Sequence, residues 1–365
     1  MIIFKGAGLA YEDRKQLIAQ LEHLRGSKVL CYILSDRESF PPNMPGLSAQ
    51  LASEPHLLFV DHLRAIGTVP QLDVFLYTRG GATDSVWPLV SLFREYADRF
   101  TVLVPFRAHS GGTLICLGAD EVIMSEAAEL SPIDPTTGNQ FNPTDPANPA
   151  NRFGISVEDV AAYFELSKDR AGITEQQHKV DVLKELTRNV HPLALGNVQR
   201  VYLQIRRLAG ELLGLHMDEN DPRIDDIIKA LTEKFYSHVH AISRREAMAL
   251  MGDWVRYATE DESTIMWNLF NAYADTLCLR EKYQLPTFMA DEPVRELTVI
   301  GGFIESTAES HIYNTTMKVI QRPNVPPNVQ LQITPGAAIP LPPGFSRSYE
   351  YNIQEMRWIA NQQGV

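Results

Sequence analysis

The sequence predicts an α/β fold in which a mostly parallel sheet is covered by helices and followed by a helical region and a C-terminal extension. Short apolar runs alternate with segments of helical periodicity over the first 124 residues, as expected of consecutive βαβ units. From 156 to about 290 the pattern is helical, and strand-like runs return after 297. We therefore expect a core over 1–155, a helical region over 156–296 that completes the core and makes oligomer contacts, and an extension with some β character over 297–365.

The elements of the core follow from its apolar patterning. Leu17, Ile18 and Leu21 recur at helical spacing, which predicts a helix over 11–25 that Gly26 ends. Short apolar runs between polar turns predict buried strands at 28–34, 72–78, 101–106 and 121–124. Helical patterns between them predict further helices at 53–66, 85–99 and 113–119.

Two of these strands end in turns that contain glycine. The second strand leads into Gly80-Gly81, and the third leads into Ser110-Gly111. Ligands of parallel α/β sheets bind beyond the carboxyl ends of the strands. We therefore expect both turns to lie at the same edge of the sheet and to form the functional site.

Composition excludes several classes of function. The net charge of −12 over 365 residues argues against a general affinity for nucleic acid or anionic membranes. Cys31, Cys116 and Cys278 are far apart in the sequence, so they predict buried thiols in a reducing compartment and no zinc site. No apolar run reaches the length of a membrane span, and the N-terminus does not resemble a signal peptide. These features predict a cytoplasmic protein with no transmembrane segment.

Ser110 has two interpretations. Serine is a favoured N-cap, and the glycines after it allow a sharp turn and close packing. A nucleophilic serine at a strand-to-helix turn would have the same sequence. In that case backbone N–H groups of Gly80, Gly81 and Gly111 would surround the oxyanion of an acyl-transfer reaction.

The motifs around these turns resemble one protein family. The stretches LYTRGGATDSV (76–86) and VPFRAHSGGTLICLGADEVIMSEAAELSPIDP (104–135) are similar to the serine dehydrogenase proteinases. These are relatives of signal peptide peptidase A within the Clp-protease/crotonase superfamily. The resemblance covers roughly residues 12–140, and FYSHVHAISRREAMALMG (235–252) continues it weakly.

The resemblance implies a Clp/crotonase-type core of repeated ββα units and a serine-type peptidase. It implies peptide or protein substrates, a homo-oligomer, and neither a cofactor nor a metal. Two residues depart from the family's motifs: Arg79 stands where proline is common, and Ser131 replaces the glycine of the LGPIDP-like segment. These departures concern the substrate and the partner more than the fold.

The general base is predicted from the signal peptide peptidase pattern, in which a lysine lies farther along the chain. Lys168 is at a comparable distance from Ser110, and it would need burial to lower its pKa from about 10.4. Asp134 is a second candidate, as a base or as a group that orients one. If Lys168 is not the base, His238 and His240 are the next candidates, since they would share a face of an extended segment.

Two other functions remain open at this point. A crotonase-like acyl-CoA enzyme would use the same two-turn oxyanion site on a thioester. A catalytically inactive scaffold that binds a partner would keep the fold without an activated serine.

Overall fold

The fold begins with the predicted alternation of strands and helices. The computed structural model describes residues 2–4, 10–37, 48–281, 285–290, 292–324 and 347–361. The first strands are β1 (Ile2–Phe4), β2 (Lys28–Leu34), β3 (Val69–Tyr77), β4 (Ala97–Val104), β5 (Arg107–Ala108), β6 (Glu121–Met124), β7 (Glu129–Leu130), β8 (Thr136–Thr137) and β9 (Ile155–Ser156). The helices among them are α1 (Tyr11–Arg25), α2 (His56–Ile66), α3 (Val86–Tyr96) and α4 (Gly111–Leu117).

All of the predicted core elements are present, but several of their boundaries differ from the prediction by a few residues. The helix predicted over 85–99 ends at Tyr96, because Ala97 and Arg99 pair with β3 and begin the next strand. The helix predicted over 113–119 begins two residues earlier, at Gly111. In the first case long-range strand pairing overrides the local helical pattern.

The region predicted to be helical contains two short strands. Its helices are α5 (Val157–Glu165), α6 (Gln176–Asn189), α7 (Pro192–Leu213), α8 (Arg223–Lys229), α9 (Arg244–Met251), α10 (Glu260–Thr276) and α11 (Leu285–Met289). Strand β10 (Ile242–Ser243) pairs with β7, and strand β11 (Val255–Tyr257) extends the main sheet beside β6. The region is mostly helical, as the pattern predicts, and these two short strands were not predicted.

The C-terminal region forms three long strands of the main sheet. They are β12 (Val294–Glu305), β13 (Ser310–Pro323) and β14 (Arg347–Ala360). Strand β12 runs antiparallel to β2, so these strands continue the sheet of the core. The strand-like run at 329–333 lies outside the described residues. The predicted domain boundaries 1–155, 156–296 and 297–365 stay a prediction.

The main sheet separates two apolar cores. Its order among the described residues is β11-β6-β4-β3-β2-β12-β13-β14, with β1 beside β12. The five neighbouring strands β11, β6, β4, β3 and β2 are parallel to one another. Alternate residues of β3 point to opposite faces: Val74 and Leu76 pack with α2, α3 and α4, whereas Phe75 and Tyr77 pack with α1 and α10. The predicted α/β fold with a mostly parallel, two-sided sheet is confirmed.

No helix within the described ranges is both long enough and apolar enough to span a membrane.

Candidate functional site

Ser110 lies in a strained turn between β5 and α4. Its backbone angles are φ 50° and ψ −109°, in a region that L residues rarely adopt. The helix begins directly after it, since Leu114 donates its N–H to the Ser110 carbonyl at 3.0 Å. Strained backbone of this kind is common at functional sites and persists only when surrounding contacts hold it.

Ser131 holds the Ser110 backbone in place. Its Oγ accepts the Ser110 N–H at 2.8 Å, and its own backbone is tied to Thr113 on α4. The side chain of Ser131 is buried. Sequence reasoning noted this serine only as a departure from the family's glycine, and that departure was the signal that could have identified its role.

The Gly80-Gly81 turn packs directly against Ser110. A Cβ on Gly80 would lie 2.7 Å from the Ser110 Cβ and 3.2 Å from the Gly111 nitrogen. Backbone hydrogen bonds from Thr78 N to Arg107 O at 2.9 Å and from His109 N to Thr78 O at 3.0 Å join the two strand ends. The two turns therefore meet at one edge of the sheet.

Gly81 and Gly111 are the better candidates for oxyanion donors. The Gly80 N–H already donates to Thr78 Oγ1 at 3.0 Å. A Cβ built on Gly111 would lie 3.7 Å from the Gly81 nitrogen, so the two glycines are neighbours. A tetrahedral oxyanion is stabilised where neighbouring backbone N–H groups beside a nucleophile both donate to it.

Asp134 and His238 form a hydrogen-bonded pair. The Asp134 Oδ1 lies 3.0 Å from the His238 Nδ1; the carboxylate is buried, and the imidazole is 44% exposed. The hydrogen bond that the imidazole donates to the Asp134 carboxylate raises the pKa of His238 above its ordinary value. This is how a carboxylate orients a histidine and stabilises its protonated form in general-base sites.

A three-stranded sheet places this pair and the serine at the same end. Its order is β10-β7-β5: Ser110 follows β5, Asp134 follows β7, and His238 precedes β10. Strand β10 is antiparallel to β7 and β5 is parallel to it, so all three residues lie beyond the same end of the small sheet.

His240 lies apart from His238. The 238–239 segment is a turn, closed by a hydrogen bond from the His240 N–H to the Ser237 carbonyl at 3.0 Å. This stretch is therefore not the extended segment on which the two histidines would share a face. The His240 ring stacks on Phe235 at 4.6 Å, and its Nε2 is 3.5 Å from Glu246 Oε1. Only His238 contacts Asp134.

Lys168 does not have the burial expected of a lysine base. It lies on a π-helical turn (Leu166–Arg170) that follows α5, with a side chain that is 66% exposed. Its Nζ is 3.5 Å from the Asp169 carboxylate. A lysine base needs a site that removes water from its amine, and this side chain is in contact with solvent.

Glu158 and His109 are two further titratable residues with shifted pKa values near these candidate residues. Burial, followed by the negative charge of Asp134, raises the pKa of Glu158 to about 7. His109 lies 3.1 Å from Glu129, and burial lowers the pKa of its imidazole to about 4. Sequence reasoning did not single out Glu158, because it lies in another part of the chain from Asp134.

Comparison with known proteins agrees with the motifs. Residues 9–145 match the family model of the ClpP-like SDH-type serine proteinases. The chain is 25% identical to the uncharacterized protein MJ1495 of Methanocaldococcus jannaschii in an alignment of 245 residues that covers 59% of this chain and 81% of that protein. It is 28% identical to the uncharacterized protein MJ0137 of the same organism over 208 residues, which are 56% of this chain and 61% of that protein. The family resemblance and the Clp/crotonase-type fold are thereby confirmed.

Proposed function

We propose that this protein hydrolyses peptide bonds with Ser110 as its nucleophile. The proposal is supported by the match of residues 9–145 to the family model of the ClpP-like SDH-type serine proteinases. The observation that carries the proposal is the packing of the Gly80-Gly81 turn against Ser110. A serine that served only as a helix cap would need neither a strained backbone nor a second glycine turn beside it.

The general base in this proposal is His238, and Asp134 is its positioning residue. Asp134 lies three residues after Ser131, whose hydroxyl binds the Ser110 N–H, and three residues span at most about 11 Å. The His238 Nδ1 hydrogen donates to Asp134, which leaves Nε2 as the basic nitrogen. The exposure of Lys168 favours His238 over the lysine as the base.

The reaction then proceeds in two balanced steps. Ser110 Oγ attacks the scissile carbonyl carbon while His238 Nε2 takes the hydroxyl proton, and the carbonyl oxygen becomes an oxyanion held by the N–H groups of Gly81 and Gly111. The C–N bond breaks as the imidazolium returns the proton to the leaving amine. Water, activated by the same imidazole, hydrolyses the acyl-serine and regenerates the hydroxyl.

Fluorophosphonate labelling tests this proposal, because only an activated serine reacts quickly with the reagent. Ser110→Ala should abolish labelling and peptide hydrolysis without lowering the melting temperature. The matched control is Ser91→Ala, which removes a partly exposed hydroxyl from α3 and should label at the rate of the unmodified protein. Labelling that persists in folded Ser110→Ala would overturn the assignment, and an unreactive parent protein would favour the inactive scaffold.

We also propose that the protein is a homo-oligomer of a reducing, cytoplasmic compartment. Cys31, Cys116 and Cys278 are all free and buried, as expected of thiols that stay reduced. Ile353 and Met356 on β14 are exposed by 45% and 47%, and apolar side chains of this kind support a subunit contact. Light scattering on the purified chain measures the oligomeric state, and a strictly monomeric mass would refute that part.

A further inference from the structure

A second cluster of functional side chains lies away from Ser110, where the C-terminal strands meet α2. It consists of His62 on α2, Glu309 in the turn between β12 and β13, and His311 near the start of β13. One possible ligand atom from each residue lies within 4.8 Å of the others. We call these three residues the His62 cluster.

The two imidazoles face each other through their ring nitrogens. His62 Nε2 is 3.0 Å from His311 Nδ1. Two nitrogens bound to one tetrahedral zinc ion, at about 2.0–2.1 Å each, are separated by about 3.3 Å. Opening the pair by a few tenths of an ångström would therefore admit an ion between them.

Ser306 orients His62 from the opposite side of its ring. The Ser306 Oγ lies 2.9 Å from His62 Nδ1, and it also lies 3.3 Å from the backbone nitrogens of Ala308 and Glu309. When Nδ1 donates its hydrogen to this hydroxyl, the Nε2 lone pair points into the cluster. Outer hydrogen bonds of this kind fix the tautomer of metal-binding histidines.

Burial favours the neutral imidazole that a metal requires. His62 is fully buried, and a buried imidazole is more stable without a charge. Glu309 supplies the negative charge that partly balances a divalent cation.

The cluster is accessible from solvent. An open cavity of about 700 Å³ is lined by Glu309 and His311, together with Tyr11, Asp61 and Arg64. This space provides an entry path for a hydrated ion and room for water as a further ligand.

We propose that His62, Glu309 and His311 bind a divalent first-row transition metal, with zinc as the best match. Two imidazoles and one carboxylate form a donor set that suits such ions, whereas calcium and magnesium prefer oxygen ligands alone. The remaining position is filled by water from the cavity. The ion would join α2 of the core to the hairpin of β12 and β13, so its role is to stabilise the C-terminal strands against the core and is independent of Ser110.

Titration of the full chain with Zn²⁺, after removal of metal by a chelator, tests this site. Isothermal titration calorimetry should give one equivalent of tightly bound Zn²⁺ and a rise in melting temperature, whereas Ca²⁺ should give neither. Co²⁺ should give the intense visible absorption of a tetrahedral site.

Variants separate this site from stray binding to surface histidines. Ser306→Ala should weaken Zn²⁺ binding by about 10–100-fold, and His311→Ala and Glu309→Gln should weaken it at least as much. His178→Ala, which removes an exposed imidazole on α6, is the matched control and should bind like the parent protein. A substitution of buried His62 could prevent folding. His311 and Glu309 are partly exposed, so their variants test the site without that risk. Unchanged affinity in folded His311→Ala and Glu309→Gln, or no Zn²⁺ binding by the parent, would overturn the proposal.

Discussion

Substitution of Gly81 by alanine changes the site through a single methyl group. Gly81 has φ +146°, and a Cβ built on it would lie 2.4 Å from both the backbone nitrogen and the backbone oxygen of Leu51. Carbon contacts are normally no closer than about 3.5 Å, so either the glycine turn or the backbone at Leu51 must move by about 1 Å.

That displacement acts on the two hydrogen bonds that bracket Gly81. Leu51 donates its N–H to the Gly80 carbonyl at 2.8 Å, and Ala82 donates its N–H to the Leu51 carbonyl at 2.9 Å. Loss of both hydrogen bonds would lower the free energy of unfolding by roughly 1–3 kcal/mol. If the Gly81 N–H turns away from the oxyanion, the rate should fall by about 10²–10³-fold, or about 2.7–4 kcal/mol of transition-state stabilisation.

The rate of fluorophosphonate labelling is the assay for this variant, since it needs no knowledge of the natural substrate. Gly196→Ala is the control: Gly196 lies on α7, and a Cβ there would have nothing within 4 Å. The Gly196→Ala protein should be labelled at the parent rate. Its free energy of unfolding should rise by about 0.5–1 kcal/mol, because alanine is more favourable than glycine inside a helix. A folded Gly81→Ala protein that labels as fast as the control would refute the role of this turn in oxyanion binding.

Two further predictions concern the groups around Ser110. The hydrogen bond to the Asp134 carboxylate raises the pKa of His238. Because the base works only when neutral, the labelling rate should rise with pH to a plateau, with a midpoint above the ordinary value of about 6.5. Asp134→Asn should lower both the midpoint and the plateau in a pH–rate profile, and an unchanged profile would exclude the pair from catalysis. Ser131→Ala should leave the Ser110 N–H without its acceptor and lower the free energy of unfolding by about 1–3 kcal/mol in urea denaturation, whereas Ser91→Ala should not. Equal stability of the two serine variants would contradict that role of Ser131.

Local patterning was enough to predict most of the parallel core. Helix α1 and strands β2 and β6 have the predicted bounds, because each is a short segment whose apolar spacing matches its buried face. The sequence did not predict that the C-terminal strands join the main sheet. Strand β12 is held there by antiparallel pairing with β2, which lies far earlier in the chain. Pairing over that separation leaves no local signal.

The candidate site was predictable in part for the same reason. The two glycine turns and Ser110 follow directly from strand ends, and a parallel sheet brings such ends together. Asp134 and His238 are 104 residues apart, and only the folded chain brings them into contact. The exposure of Lys168 likewise depends on how its turn packs, which residue spacing does not determine.

The measurement that decides between the two bases is the rate at which Ser110 is labelled in Lys168→Met and His238→Gln, with the modified serine identified by mass spectrometry. We expect labelling at Ser110 in the parent protein and an unchanged rate in Lys168→Met, because that side chain is solvated and paired with Asp169. In His238→Gln the labelling rate should fall by about 10²–10⁴-fold, which is the usual contribution of a general base. Label on another serine, or a rate that falls in Lys168→Met but not in His238→Gln, would contradict the mechanism.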